Sequence, residues 1–311
     1  MNENSKQGNN ATLKEYHIRI NKVLDYIENN LGSELSLDTL SKIACFSSYH
    51  FHRLFHSLSG ETLAGYIKKR RLLAAANRLY YSQNPSLSDI AYEFGFSSQS
   101  DFSRSFKAFF NLSPSGFYKE KIIKKLQVSN REENIEHSVL SEAKKQQYEI
   151  GISIKRLADY RVAYIRNKGL SKMHKSPEIE ASFIKLYTWA MARDLISRET
   201  IVMGITLDNP EILPLQECRH DTCITVDQAV EPDGVIGVRD IHTKAKYVSF
   251  KFDTGIPEFH KTFFEVIDYL YGNWIPLNGY IPEDKPCIEL YKQNTENKHI
   301  YIELLIPVRP F

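Results

Sequence analysis

The strongest constraint on the fold is an internal repeat in the first third of the chain. Leu37, Leu40, Phe46 and Ser47 return fifty residues later as Leu87, Ile90, Phe96 and Ser97. Beyond that point the spacing grows by one, pairing Phe51 with Phe102, Arg53 with Arg104 and Phe55 with Phe106. Each copy opens on a serine, Ser36 or Ser86, a residue whose side chain accepts a hydrogen bond from the free amides of a helix start. A short apolar-periodic run follows, then a break at Cys45-Phe46 or Gly95-Phe96, then a second helical run from Ser47 or Ser97. The pattern predicts a short helix, a tight turn and a second helix, present twice. Between the copies, residues 62–81 contain no proline and read as one long helix joining the two units rigidly.

Small residues suit the turn. Ala91 lets the paired helices approach, and Gly95 can adopt left-handed backbone. The first copy has Ser41 and Cys45 there, and a left-handed cysteine costs about 1 kcal/mol, so that turn is expected to differ in detail. In the second helix of each copy, Phe51, Leu54, Phe55 and Leu58, or Phe102, Phe106, Phe109 and Phe110, form an inward apolar set. The opposite face carries Ser48, Tyr49, His52, Arg53 and His56 in one copy and Ser98, Gln99, Ser100, Ser103, Arg104 and Lys107 in the other. Such side chains can reach base edges and phosphates.

Charge divides along the chain. Residues 1–128 hold 17 basic and 11 acidic side chains, a net of +6, and the remainder nets −4, leaving the whole at +2. A basic front fits an anionic polymer. The four cysteines show no CxxC spacing and read as reduced thiols. His52 and His56 are four apart, a spacing that can hold zinc, but no third ligand is positioned, so no metal is expected. Residues 1–12 read as a disordered tail without the apolar core of a signal peptide. No stretch approaches the length of a membrane span, and the chain reads as a cytoplasmic protein without membrane contact.

Residues 119–147 are charge-rich and read as a fraying helix end and solvated linker. From Tyr148 the period changes, with short apolar or alternating runs at 150–157, 162–166, 201–207, 222–226, 246–252, 286–291 and 299–306 and helical patterns at 177–196 and 257–272. Residues 162–169 echo 248–255, and Trp189 and Trp274 fall in comparable places. The expected fold class is therefore multidomain: an all-α N-terminal domain of two helix-turn-helix units joined by a long helix, then an α+β domain of duplicated strand-helix-strand units. The expected boundaries are 14–122, a linker at 123–147, and 148–311.

Glu289 and Glu303 each sit in the middle of an apolar strand pattern. Alternation is expected to turn Ile288, Leu290, Ile302 and Leu304 to the core beneath the helices, and Glu289, Tyr291, Tyr301 and Glu303 to the other face. With Trp274, that acidic and aromatic face could bind an aromatic or organic cation.

Residues 90–107 (IAYEFGFSSQSDFSRSFK) with 112–118 (LSPSGFY) resemble the second helix-turn-helix signature of the AraC/XylS family of bacterial transcription regulators. Asn111 replaces the family's usual glycine. The resemblance implies a module that places two recognition helices in adjacent major-groove segments of promoter DNA. It implies DNA contacts from Tyr49, His52 and Arg53, and from Gln99, Ser100, Ser103 and Arg104. The rear half resembles the GyrI-like (SHS2-type) effector-binding domain through residues 183–190, 204–210, 219–223, 288–291 and 302–307. That resemblance implies small-molecule sensing in a central cleft, with Glu289 matching the family's acidic pocket residue. Leu207 stands where an aromatic is common. The favoured function is a non-enzymatic, ligand-responsive transcription regulator with no cofactor. The alternatives are a DNA-tethered hydrolase of the GyrI-like kind, or a scaffold contacting RNA polymerase or another protein without a ligand.

Overall fold

The computed structural model describes residues 3–82, 84–132, 142–170, 176–227, 229–255, 259–283, 285–293 and 300–310. The chain divides into two compact units, one built on Met1–Arg131 and one on Glu132–Glu231 with Val238–Phe311.

The first unit is helical: α1 (Glu3–Asn29), α2 (Leu37–Ile43), α3 (Ser48–Ser59), α4 (Leu63–Tyr81), α5 (Leu87–Glu93), α6 (Gln99–Phe110) and α7 (Pro114–Glu132). Helix α1 takes in most of the segment expected as a disordered tail. Once the apolar stripe around Ile20, Val23 and Ile27 is docked, each further residue adds a backbone hydrogen bond without a new nucleation cost. Side-chain caps start the repeat helices. Ser36 accepts from the Thr39 amide, Ser47 from His50, Ser86 from Asp89 and Ser98 from Asp101. The cap of α6 is Ser98 rather than the expected Ser97, so the extra residue of the second copy lies inside its turn.

The two turns have the same backbone. Cys45 (φ 54°) and Gly95 (φ 71°) are both left-handed, and the bonds Phe46 N→Ser41 O and Phe96 N→Ala91 O are both 2.9 Å. The expected difference at Cys45 is thus absent, and the strain is carried instead. Ser41 is buried, but its hydroxyl donates to Asp38 O at 3.0 Å and lies 3.1 Å from Ser48 Oγ, so the departure from alanine leaves no orphaned group. Helices α3 and α6 end alike, at left-handed Gly60 (φ 76°) and Asn111 (φ 58°). Phe51, Phe55, Phe102 and Phe106 are fully buried, each contributing roughly 2–3 kcal/mol through apolar burial. Phe109, expected inward, is exposed.

In the second unit, helix α8 (Glu142–Gly151) occupies sequence read as linker, and its Tyr148 packs on Phe250 and Tyr269. Residues 133–141 of the expected linker lie outside the described residues. Strands β1 (Ile152–Arg156) and β2 (Tyr160–Lys168) precede helix α9 (Pro177–Met191), and β3 (Val202–Thr206) and β4 (Arg219–Thr225) follow it. The pattern then repeats with β5 (Gly237–Ile241), β6 (Lys246–Asp253), helix α10 (Phe259–Tyr269), a short β7 (Tyr280–Pro282), β8 (Cys287–Gln293) and β9 (Ile300–Pro310). The strand order is β1-β6-β9-β8-β3-β4-β2-β5, with β7 on β9, and the pairs from β1 through to β2, with β7 on β9, are antiparallel. Exchanging each strand for its counterpart in the other copy (β1 with β5, β2 with β6, β3 with β8, β4 with β9) reverses this order onto itself. The sheet therefore has a pseudo-twofold axis between β3 and β8, where Gly204 pairs with Glu289.

Each face of the sheet has its own core. Phe250, Phe252, Ile302, Leu304 and Ile306 pack under α10 with Phe263 and Val266. Tyr164, Met203, Ile205, Cys223, Leu290 and Leu305 are grouped on the other face.

Candidate functional site

The helix-turn-helix geometry leaves one face of α3 and of α6 free of the core. On α3, Tyr49 is 74% exposed, and His52 and Arg53 are exposed beside it. The Arg53 guanidinium donates to Tyr49 Oη at 3.4 Å and lies 5.8 Å from that ring, which arranges an arginine and a tyrosine as one surface group. On α6, Gln99, Ser100 and Arg104 are exposed and Ser103 is half-buried. All seven expected residues therefore lie on the outer faces of two helices with matching caps and turns. Arginine and glutamine there can donate to base edges, and free helix-start amides favour phosphate.

The second candidate site sits on the pseudo-twofold axis, between sheet and helices. Glu289 is 8% exposed and accepts a 2.5 Å hydrogen bond from Tyr291 Oη. Phe183 of α9 packs edge-on against the Tyr291 ring, with centroids 5.3 Å apart. Opposite Glu289, Gly204 leaves room that two neighbouring side chains fill. A Cβ built there would lie 2.6 Å from His220 Nε2 and 3.0 Å from Tyr291 Oη, so the imidazole and phenol meet over the glycine. His220 is 3% exposed, and its Nδ1 has no hydrogen-bond partner. Burial lowers the imidazolium pKa, opposed by the negative charges of Glu289 and Asp221. Burial, with the neighbouring Glu289 carboxylate, raises the Tyr291 phenol well above its ordinary value, so it remains a donor. After α10 the helix widens into a π turn, Leu270–Trp274, and its Tyr271 hydroxyl lies 3.4 Å from Cys287 Sγ on β8. Trp274, from the same turn, packs on the core beneath α10.

The register corrects one expectation. Glu289 pairs with Leu304, and Leu290 with Glu303, so the two glutamates stand on opposite faces of the sheet. Glu289 and Tyr291 lie beneath the helices with Ile302 and Leu304, whereas Glu303 and Tyr301 share the far face with Ile288 and Leu290. Counting alternation within each strand could not reveal how the strands align with one another. Glu303 is also already satisfied: Lys155 and Lys292 ion-pair with it, and Ser249 Oγ donates at 2.6 Å. Burial pushes its pKa up, but these hydrogen bonds and charges outweigh that and hold it at about 2. Sequence reasoning missed His220 and Gly204 as members of the site. Their only signals were a histidine next to an aspartate in one short strand and a glycine inside another.

Other buried carboxylates follow the same rule as Glu303. Asp221 is held by Arg166 at 2.8 Å and Arg239 at 2.7 Å, and Asp208 by Arg219 at 2.9 Å. Among the described residues, Glu289 alone of these four has no lysine or arginine partner.

Comparison with known proteins agrees with this two-part architecture. Residues 151–309 match the GyrI-like small molecule binding domain, and residues 40–120 match a helix-turn-helix domain. A stretch of 139 residues is 32% identical to the HTH-type transcriptional regulator YbfP of Bacillus subtilis (strain 168), covering 44% of this chain and 47% of that protein. The match thus spans about half the length of that relative. Over 97 residues the chain is 38% identical to the multiple antibiotic resistance protein MarA of Escherichia coli (strain K12), covering 31% of this chain and 76% of MarA. The DNA-binding domain of the global transcriptional factor AdpA, solved with a target DNA, is 25% identical, with 34% of this chain and 94% of that one covered and a TM-score of 0.32. The chain belongs to the AraC-type helix-turn-helix regulators and to the GyrI-like small-molecule-binding family.

Proposed function

We propose that this chain regulates transcription by reading duplex promoter DNA through α3 and α6, and that it responds to a small organic cation held at Glu289. Tyr49, His52 and Arg53 on one helix and Gln99, Ser100, Ser103 and Arg104 on the other are the DNA-reading set. Glu289, Tyr291 and the buried ring nitrogen of His220 are the polar contacts of the effector site, and Trp274 is an aromatic wall. The reading rests on Glu289. A buried carboxylate costs several kcal/mol unless a counter-charge compensates it, and this protein supplies one to Asp208, Asp221 and Glu303 but not to Glu289. A cationic ligand fills that role. The Tyr291 hydroxyl holds the carboxylate in place until the ligand arrives, and the π turn after α10 is a local irregularity of the sort found at binding sites. Regulation then requires the cation to favour one arrangement of the regulator over another.

The test uses the full chain and a duplex enriched from a random-sequence pool. Arg104→Ala is expected to weaken binding roughly 10- to 100-fold, the cost of one lost bidentate base contact. Separately, aromatic quaternary ammonium ions are titrated beside their neutral carbon isosteres. The parent is expected to prefer the cations at least about tenfold, about 1.4 kcal/mol, and Glu289→Gln to abolish that preference. A Glu289→Gln chain that still prefers the cations refutes the effector site, and an Arg104→Ala chain with parental affinity refutes the DNA face.

A further inference from the structure

Arg71 lies near the middle of α4, and its guanidinium reaches three main-chain carbonyls. Nε donates to Leu31 O at 2.9 Å, Nη2 to Ser33 O at 2.7 Å and Nη1 to Gly95 O at 2.9 Å. Leu31 and Ser33 belong to the segment leading from α1 into the first helix-turn-helix unit, and Gly95 is the left-handed residue in the turn of the second. One side chain on the connecting helix is therefore bonded to both units at once. Burial lowers the pKa of Arg71, but a guanidinium stays charged, and hydrogen bonds from a charged donor are about twice as strong as neutral ones.

The glycines around it fit this junction. A Cβ at Gly95 would lie 2.7 Å from Arg71 Nη2, and one at Gly32 would lie 2.3 Å from the Glu93 carbonyl, so the end of α1 and the end of α5 approach more closely than side chains allow. Its neighbour Arg70 binds Glu28 of α1 at 2.9 and 3.1 Å, with Tyr66 adding a hydrogen bond to the same carboxylate. Arg71 thus bridges the two helix-turn-helix units through its one guanidinium.

We propose that Arg71, without touching DNA, sets the spacing at which the two reading helices meet the duplex and so determines which half-site separation the protein accepts. This rests on the DNA-reading assignment of α3 and α6. The planar fork is essential to the role. A lysine at 71 keeps the charge but presents a single ammonium that cannot address three carbonyls set around a plane.

The experiment enriches a duplex with the full-length parent, then measures affinity for that duplex and for derivatives with one or two base pairs inserted between its halves. The parent is expected to lose at least about tenfold on insertion, roughly 1.4 kcal/mol. Arg71→Met borders an open recess of about 460 Å³ and meets no steric obstacle there. It is expected to bind the enriched duplex more weakly and to discriminate among spacings less than about threefold, and Arg71→Lys is expected to fall between. Thermal unfolding of each variant checks folding, and if Arg71→Met does not fold, Arg71→Lys alone carries the comparison. A variant that binds every duplex more weakly by one common factor, with parental discrimination intact, overturns the proposal. A parent that enriches no duplex overturns the DNA-reading assignment, and this inference with it. A parent that enriches a duplex but is indifferent to insertions overturns the spacing role alone.

Discussion

Replacing Glu289 by glutamine should stabilise the effector domain, whereas the same change at Glu303 should destabilise it. Glutamine keeps the shape of glutamate and removes only the charge. At Glu289 the effective cost of a buried carboxylate is several kcal/mol, and the Tyr291 hydrogen bond returns about 1.5–3 kcal/mol of it. Removing the charge leaves the tyrosine a neutral acceptor, so the net gain is about 1–2 kcal/mol. For a domain the size of residues 151–309, that corresponds to roughly 2–8 °C in Tm. At Glu303, two lysines and a serine converge on the carboxylate. Neutralising it leaves Lys155 facing a partner without charge, and because both lysines reach solvent the cost is about 1–2 kcal/mol, below that of a fully buried pair. Thermal unfolding of the full chain, following the transition that Glu303→Gln moves, reads both variants on one scale. The reasoning fails if Glu289→Gln lowers that transition, because the Glu289 charge is then compensated within the protein. It fails equally if both variants move the transition the same way, since the argument depends on the contrast in their partners.

The Glu303 network also predicts an acid response. Its folded-state pKa of about 2 lies below the reference 4.5, so its contribution, about 1–2 kcal/mol once screening of the exposed lysines is allowed for, is present above pH 4.5 and is lost as pH falls from there toward 2. The stability gap between parent and Glu303→Gln, measured by denaturant unfolding, should shrink over that window, and a gap that is constant between pH 6 and pH 3 contradicts the assignment. Cys45→Gly should raise the stability of the helix-turn-helix domain by about 0.5–1 kcal/mol, because the exposed thiol packs little and the left-handed backbone favours glycine. A lower melting temperature for Cys45→Gly would show that the turn depends on the cysteine side chain. DNA affinity of the parent should fall steeply with salt; a duplex complex insensitive to salt between 50 and 200 mM (about fourfold in concentration) would rule out binding through phosphates.

The helical domain was largely legible because its signals are local. Serine caps, apolar spacing and a repeat of fifty residues all lie within reach of a single turn or helix. The misplaced cap, Ser97 for Ser98, lies where one extra residue enters the second turn, and sequence spacing alone cannot say on which side of a serine that residue falls. Strands β5 and β7 went unseen because Arg239-Asp240 breaks the apolar pattern in one and Pro282 ends the other. The face error at Glu289 and Tyr291, expected away from the helices and found beneath them, is of another kind. Period-two alternation fixes which residues of one strand share a face, but the alignment of β8 with β9 is a property of the pair, set across a connection and by packing on both sides. Glu289 was legible as a buried acid, yet His220 and Gly204 come to it from strands 69 and 85 residues away in sequence, and only the sheet order brings them together.

The two halves of this sheet meet at its centre, and there they differ. Gly204 and Glu289 face one another across the central strand pair, one without a side chain and the other with a charge. A strictly symmetric pair could offer only two glycines or two like charges at that point, the first without a polar group and the second self-repelling. The difference between the halves gives the axis a single polarity.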